Sequence, residues 1–254
     1  MNFALILAGG QGERMGETHV PKQFIEICGK PVIFYTFESI QRNINIDCAC
    51  VVAPSSWHTT ISEWVKDHGF TKVSVITNSG VDRQSSVHSG LKALFGLPQK
   101  PSIDDNVMIM TAVCPFVAQD TINQHFEEVR EHGGCITVVS AVDAITYSND
   151  GNLVNRTLQK HKMFVQQGPQ TFKLLQLLKA HDDYVASQYH AEVNEDSELI
   201  LNMGCDVAMV IGDRFCLKVT YPEDIAIVEA LAPLFEAKEN CFIEGKHGLI
   251  AEDH

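Results

Sequence analysis

Short apolar runs alternate along the chain with longer stretches in which apolar positions recur at helical spacing. FALILA (3–8) is apolar throughout and predicts a buried strand. PVIFYTFESIQ (31–41) predicts a helix, with Pro31 in the first turn, where its missing N–H costs little. DCACVVA (47–53), KVSVIT (72–77), NVMIMTA (106–112) and GCITVVSAV (134–142) predict further strands. Helices are predicted near 55–68, from Asp82 with Val87, Leu91, Leu94 and Phe95 on one face, and near 118–132. Strands that are apolar on both faces and separated by helices predict an α/β fold: a Rossmann-like mixed, mainly parallel sheet with helices on both faces. Ligands of such sheets bind beyond the carboxyl ends of the strands. The loops after 3–8, 72–77 and 106–112 are therefore where chemistry is expected.

Residues 143–170 break this rhythm. Two β-type runs flank Ser148-Asn149-Asp150-Gly151, a strong hairpin signal. An isolated hairpin is marginal in water, so the arm 144–165 predicts packing on a second copy, a homodimer. Helices near 171–187 and 194–203, strands 207–211 and 215–219, and a helix from Pro222 to about Glu236 return to the core. The chain thus reads as one domain over 1–238, with a patternless tail at 239–254.

The composition narrows the function. Nineteen basic residues face 32 acidic ones, a net charge of −13, which argues against bulk-electrostatic nucleic-acid binding. An anionic ligand must then be held by a few local cations and backbone N–H groups. No run of eighteen apolar residues predicts a membrane span, and MNFALILAGG reads as a strand of the fold rather than a leader. The eight cysteines are scattered without a Cys-x-x-Cys pair, which predicts free thiols in a reducing cytoplasm.

The loop after the first strand, LAGGQGERMGETHVPKQF, holds Gly9, Gly10, Gly12 and Gly16 with the cations Arg14 and Lys22. Glycines let backbone N–H groups approach and cradle phosphates. The spacing matches neither G-x-G-x-x-G nor G-x-x-x-x-G-K-[ST]. The set AGGQGERMG, PKQF, SGVDRQSSVHSGL (79–91), QQGPQTFK (166–173) and LKVTYPEDI (217–225) resembles the polyol-phosphate cytidylyltransferases, over about residues 2–235. That family includes the 2-C-methyl-D-erythritol 4-phosphate and ribitol-5-phosphate enzymes and has a nucleotide-diphospho-sugar transferase fold.

The resemblance implies CTP and a polyol phosphate as substrates, and Mg²⁺ held mainly by the CTP phosphates. It implies that Ala8, Gly9, Gly10 and Gly12 line the nucleotide, and that Arg14, Lys22 and Lys218 stabilise the charge of the transferring phosphate. It places Gly80 and Ser86 against the nucleoside and gives Arg83 the ordering of their loop, although Arg83 also reads as a surface ion pair with Asp82. Thr220 and Asp224 fall in the Lys218 segment.

The chain also departs from the family. H-D-A-x-R-P reads MTAVCP here, so Thr111, which the resemblance assigns to the nucleotide site, replaces an aspartate near the metal and the polyol substrate, and Cys114 replaces an arginine that shapes the acceptor site. A cysteine there could read as a nucleophile or a redox switch. The transfer needs no covalent intermediate and no histidine adjoins Cys114 in sequence, so catalysis by its thiol is not expected. Gln167 and Phe215 are nearer the ribitol-type pattern, Asn194-Glu195-Asp196-Ser197 retains a carboxylate, and the resemblance puts Cys114, Gln167, Glu195 and Thr220 on the acceptor-substrate side. Three readings follow: an active cytidylyltransferase, a CTP-binding homologue with weakened catalysis, and a nucleotidyltransferase for another sugar phosphate. No metal ligands are assigned.

Overall fold

The structure is a computed structural model, and it describes residues 1–10, 12, 20–98, 100–187 and 193–243. The chain opens with β1 (Asn2–Leu7), a small β2–β3 pair (Glu26–Ile27 and Lys30–Pro31) and α1 (Val32–Arg42). Then come β4 (Cys48–Ala53), α2 (His58–Asp67), β5 (Val73–Asn78), α3 (Arg83–Phe95), β6 (Asn106–Thr111), α4 (Gln119–His132) and β7 (Gly134–Ser140). The arm carries β8 (Thr146–Tyr147) and β9 (Arg156–Thr157). The chain closes with β10 (Phe164–Lys173), α5 (Leu174–Ala186), α6 (Asp196–Asn202), β11 (Ala208–Ile211) and α7 (Glu223–Ile243).

The main sheet has seven strands in the order β11-β7-β10-β6-β1-β4-β5. All pairings are parallel except those of β10, which runs antiparallel to β6 and β7. Side chains alternate across a strand, so β1 sends Ala4 and Ile6 to one face and Phe3 and Leu5 to the other. The first face packs on Phe34 and Phe37 of α1, Ile61 of α2 and Phe126 of α4. The second packs on Val87 and Leu91 of α3, Leu177 of α5 and Ile200 of α6. Burial on both faces is why these strands read as unbroken apolar runs. The predicted α/β sheet with helices on both faces is the observed fold.

Four predicted elements differ. The helix expected near 171 starts at Leu174, and the arm's predicted second run ends inside the sheet, because 164–173 is β10. Thr171 and Phe172 are fully buried between β6 and β7. The β10–β7 register shifts between Gln166 and Gln170, the stretch that contains Gly168 and Pro169, where an irregularity tolerates proline. Residues 215–219 are not a strand. The Leu217 N–H turns back to Phe215 O at 2.7 Å, while Phe215, Leu217 and Val219 pack against Val228 and Phe235 of α7. Their alternation serves a cluster beside the sheet rather than a strand within it. α7 runs to Ile243, past the expected end at Glu236, and carries Pro233 inside it. The arm is a shorter hairpin than predicted: β8 and β9 have two residues each and are joined by the connection 148–155, so the bend at Asn149–Gly151 lies inside a long loop rather than at a tight turn. Asp150 Oδ1 accepts from Asn152 N–H and Leu153 N–H, both at 2.9 Å, and Gly151 takes a positive φ of 76°.

Candidate active site at the strand ends

β1, β4, β5 and β6 are parallel, so the loops that follow them share one edge of the sheet. Ala8, Gly9 and Gly10 leave β1 there. The loop is pinned by Gln23, whose Nε2 donates to Ala8 O at 2.6 Å and Gly10 O at 3.1 Å. Gln23 sits in a short helical turn, Lys22–Phe24, closed by Phe24 N–H to Pro21 O. The PKQF segment thus holds the glycine loop and presents Lys22 beside it. Gly9 cannot carry a side chain, because a Cβ would lie 2.5 Å from Ser79 Cβ. Gly12 has a φ of 75°, which favours glycine. Arg14 and Gly16 lie outside the described residues.

The loop after β5 approaches from the next strand. A Cβ on Gly80 would meet Ser85 Cβ at 2.5 Å, and Gly80 N–H donates to Ser86 Oγ at 3.0 Å. Asp82 caps α3 by accepting from Ser85 N–H at 2.7 Å. Arg83 therefore does not pair with Asp82. Its Nη2 donates to Asp196 Oδ2 at 2.6 Å and lies 3.0 Å from Glu195 Oε2. Asp196 is fully buried and also receives His181 Nε2 at 2.9 Å. His181 and Arg83 hold its carboxyl below the usual carboxylate range despite burial, which acts the other way. Gln170 completes this clamp, donating to Glu195 Oε2 and accepting Ser197 N–H at 3.2 Å. Arg83 thus ties α3 to the loop before α6.

The third wall follows β6 and β11. Cys114 N–H donates to Thr111 O at 2.9 Å, which turns the chain at the end of β6. Gln167 Nε2 donates to Asp213 O at 3.1 Å and Cys216 O at 3.2 Å, and Val219 N–H donates to Val113 O at 2.9 Å. Gln167, expected to face substrate, spends its amide group on the loop that carries Lys218. Thr220 does the same through its hydroxyl, which donates to Lys218 O at 2.9 Å, while Asp224 accepts Thr220 N–H at 2.7 Å.

These walls meet at Cys114, a buried thiol held below its ordinary value. The hydrogen bond with Cys216 is the largest cause; Lys218 and Lys22 act in the same direction, opposed by burial and Glu195. One sulfur thus registers lysines from opposite ends of the chain. The charges of Lys218, Lys22 and Glu195 all act on the Cys114 thiol, with Thr111 at the adjoining strand end; Ser86 and Gly80 bond each other on the β5 side. Sequence reasoning did not assign Gln23, Gln170 or Cys216. The two glutamines stood inside quoted motifs, but nothing in the spacing said that their amides lock loops.

The described residues contain no group of three His, Cys, Asp or Glu side chains that could hold a metal ion. Thr111 is neutral, and Glu195 and Asp196 are engaged by Arg83. Their side chains do not make a Mg²⁺ cage, so no step below is routed through the metal. No helix among the described residues is long and apolar enough to cross a membrane.

An open α/β sheet with a pinned glycine loop at its strand ends has the architecture of a nucleotide-binding protein. The family model described as 2-C-methyl-D-erythritol 4-phosphate cytidylyltransferase matches residues 3–233, and the chain belongs to that family. It is 30% identical to ribitol-5-phosphate cytidylyltransferase of Streptococcus agalactiae serotype V, over 96% of this chain and 99% of the relative. It is 32% identical to 2-C-methyl-D-erythritol 4-phosphate cytidylyltransferase of Geobacter metallireducens, over 90% and 96%. The crystal structure of 4-diphosphocytidyl-2C-methyl-D-erythritol synthase from Anaerococcus prevotii superposes with a TM-score of 0.77, at 25% identity over 91% of this chain and 96% of that one.

Proposed function

We propose that the chain transfers CMP from CTP to a polyol phosphate and releases pyrophosphate. An oxygen of the acceptor phosphate attacks the α-phosphorus, a P–O bond forms, and the bond from the α-phosphorus to the bridging oxygen breaks. Pyrophosphate leaves with that oxygen. The nucleophile is already anionic, so no strong base is required. The barrier lies in bringing two anions together and stabilising the crowded phosphorus. Lys22 and Lys218 supply positive charge, and the observation that carries this reading is the pinning of both loops: Gln23 holds the glycine loop beside Lys22, while Gln167 and Val113 fasten the Lys218 loop to the end of β6. Arg14 is the third cation of this reading. Ala8, Gly9 and Gly10 offer backbone to the cytosine and sugar, with Gly80 and Ser86 opposite.

The acceptor favoured is ribitol 5-phosphate over methylerythritol phosphate. Phe215 and Gln167 follow the ribitol-type pattern, and Gln167 holds the Lys218 loop in place. Glu195 faces the acceptor side in this reading, and Mg²⁺ would be held by the CTP phosphates rather than by side chains of this chain. The arm, with Leu153 and Val154 about two-thirds exposed at 68% and 66%, is the surface for a homodimer. The cysteines described are free thiols, which suits a reducing cytoplasm.

The test is a pyrophosphate-release screen of CTP against ribitol, methylerythritol, glycerol and sugar phosphates. Turnover with ribitol 5-phosphate is expected. Tight CTP binding without turnover on any acceptor would favour the weakened homologue that Thr111 and Cys114 suggest, and turnover with a sugar phosphate alone would move the acceptor.

A further inference from the structure

The glycine loop is held from a segment of only three helical residues, Lys22–Phe24. Phe24 N–H to Pro21 O at 2.9 Å closes it, Ile25 N–H reaches Lys22 O only at 3.4 Å, and Pro21 at its start offers no side-chain cap. Successive side chains of such a 3₁₀ turn project about 120° apart. Phe24 enters the core, Gln23 reaches the glycine loop, and Lys22 lies beside Gly12, where an added Cβ would sit 3.6 Å from Lys22 Cγ. A turn this short keeps its rotation through its anchored side chains, so whatever holds Phe24 also aims Gln23 and Lys22.

Phe24 is held by an indole from another loop. Ser55–Trp57 is a second short helical turn, placed after β4 and closed by Trp57 N–H to Pro54 O at 2.9 Å. It leaves the sheet beside the root of the glycine loop, where Ala8 N–H donates to Val52 O at 2.8 Å. Trp57 lies nearly flat on Phe24, with ring centroids 4.1 Å apart and planes 26° from parallel. Trp64 of α2 meets Phe24 at 5.9 Å and 60°, and stands edge-on to Phe34 of α1 at 5.4 Å. Phe24 is buried, whereas Trp57 stays half-buried, so the indole covers Phe24 from the rim of the core. Stacked aromatic pairs contribute beyond the area they bury.

We propose that Trp57 is a positioning residue for nucleotide binding. Its stack on Phe24 fixes the rotation of the Lys22–Phe24 turn, and through Gln23 that turn keeps Ala8 and Gly10 where the nucleotide meets them. Trp57 needs no contact of its own with the nucleotide. Without the ring the core remains, but the turn rotates, Gln23 Nε2 leaves its two carbonyls, and the loop samples positions that do not bind. Apparent affinity then falls by the fraction of time the loop is out of place. The effect on CTP rests on the function proposed above; the effect on the loop does not.

The experiment compares the full chain with four variants: Trp57→Leu, which keeps apolar bulk and removes the stack; Trp57→Phe, which keeps a ring; Gln23→Met; and Trp57→Leu combined with Gln23→Met. Hydrogen exchange is followed without nucleotide in the peptides covering 8–10 and 106–111, and the KM values for CTP and ribitol 5-phosphate are read from pyrophosphate release. Trp57→Leu should speed exchange at 8–10 by about two- to tenfold, the worth of one aromatic pair, and leave β6 unchanged. The KM for CTP should rise about two- to tenfold as well, with kcat and the KM for ribitol 5-phosphate unchanged. Trp57→Phe should restore most of both losses. The double variant should exchange no faster than Gln23→Met, because Trp57 works through that amide. Wild-type exchange at 8–10 in Trp57→Leu would overturn the proposal, as would additive effects in the double variant. An unfolded Trp57→Leu would also overturn it, since the core would then depend on the indole itself. Faster loop exchange in a chain that binds no CTP supports the role of Trp57 at the loop and counts against the transfer reading alone.

Discussion

Lys218 is exposed on an irregular loop whose backbone is tied by Gln167, Val113 and Asp224. Its charge can be removed without disturbing the core. Lys218→Ala should lower kcat about 10²–10³-fold, about 2.7–4 kcal/mol of transition-state stabilisation, with an unchanged urea midpoint. A fall in kcat below threefold would remove it from the transferring phosphate. Arg83 behaves in the opposite way, because it neutralises the fully buried Asp196. Arg83→Met should cost about 3–5 kcal/mol of stability by leaving that buried carboxylate with the His181 hydrogen bond but no guanidinium. Adding Asp196→Asn should recover part of the loss; urea denaturation of both variants decides. The residues legible in the sequence were those whose type states a chemistry, such as a lysine or a glycine in a phosphate loop. Gln23, Gln170 and Gln167 act through loops brought near only by the fold, so their work could not be read from spacing.

Elements were legible where one period governs a segment. β1, β4 and β6 are buried on both faces and read as strands, and α4 reads as an amphipathic helix. The segment 164–173 misled because it crosses from the arm into the sheet, where β10 inserts antiparallel between β6 and β7. One consequence of that packing is a buried imidazole. His125 of α4 bonds Thr171 Oγ1 of β10 at 2.9 Å and Thr137 Oγ1 of β7 at 2.7 Å. Burial pushes it down to about 3. An unfolded histidine titrates near about 6.5, so below that pH the unfolded chain binds a proton that the native chain refuses. Stability should fall as pH drops from 6.5 towards 5, by at most about 1.4 kcal/mol per pH unit from this group. His125→Gln should show a shallower dependence in urea denaturation at pH 7, 6 and 5. Parallel slopes would mean that His125 is not held neutral. The arm is a second element with a testable role: deletion of residues 146–163 should give a monomer by light scattering, and a deletion variant that stays dimeric would place the interface elsewhere.

At the scale of the whole molecule, the fold class was legible because parallel strands and crossover helices leave a repeating signature along the chain. Strand order was not, since nothing local states that β10 separates β6 from β7. Convergence of the site was legible only in part: the strand-end rule placed the loops after β1, β5 and β6 together, but the Val219–Val113 hydrogen bond joins segments that no motif linked. The same convergence predicts a preference for the cytosine nucleotide, because the glycine loop and the Gly80–Ser86 loop close on one edge. Calorimetry should show CTP bound more tightly than ATP or GTP, and the reverse order would overturn the assignment of the base. The central claim is that an acceptor phosphate oxygen ends up bonded to the α-phosphorus of CTP. Incubation of the full chain with CTP and ribitol 5-phosphate labelled with oxygen-18 in its phosphate, followed by mass spectrometry of both products, reads that bond. The account predicts the entire label in the cytidine diphosphate–polyol product and none in pyrophosphate; label in the pyrophosphate, or an unlabelled nucleotide product, would contradict it.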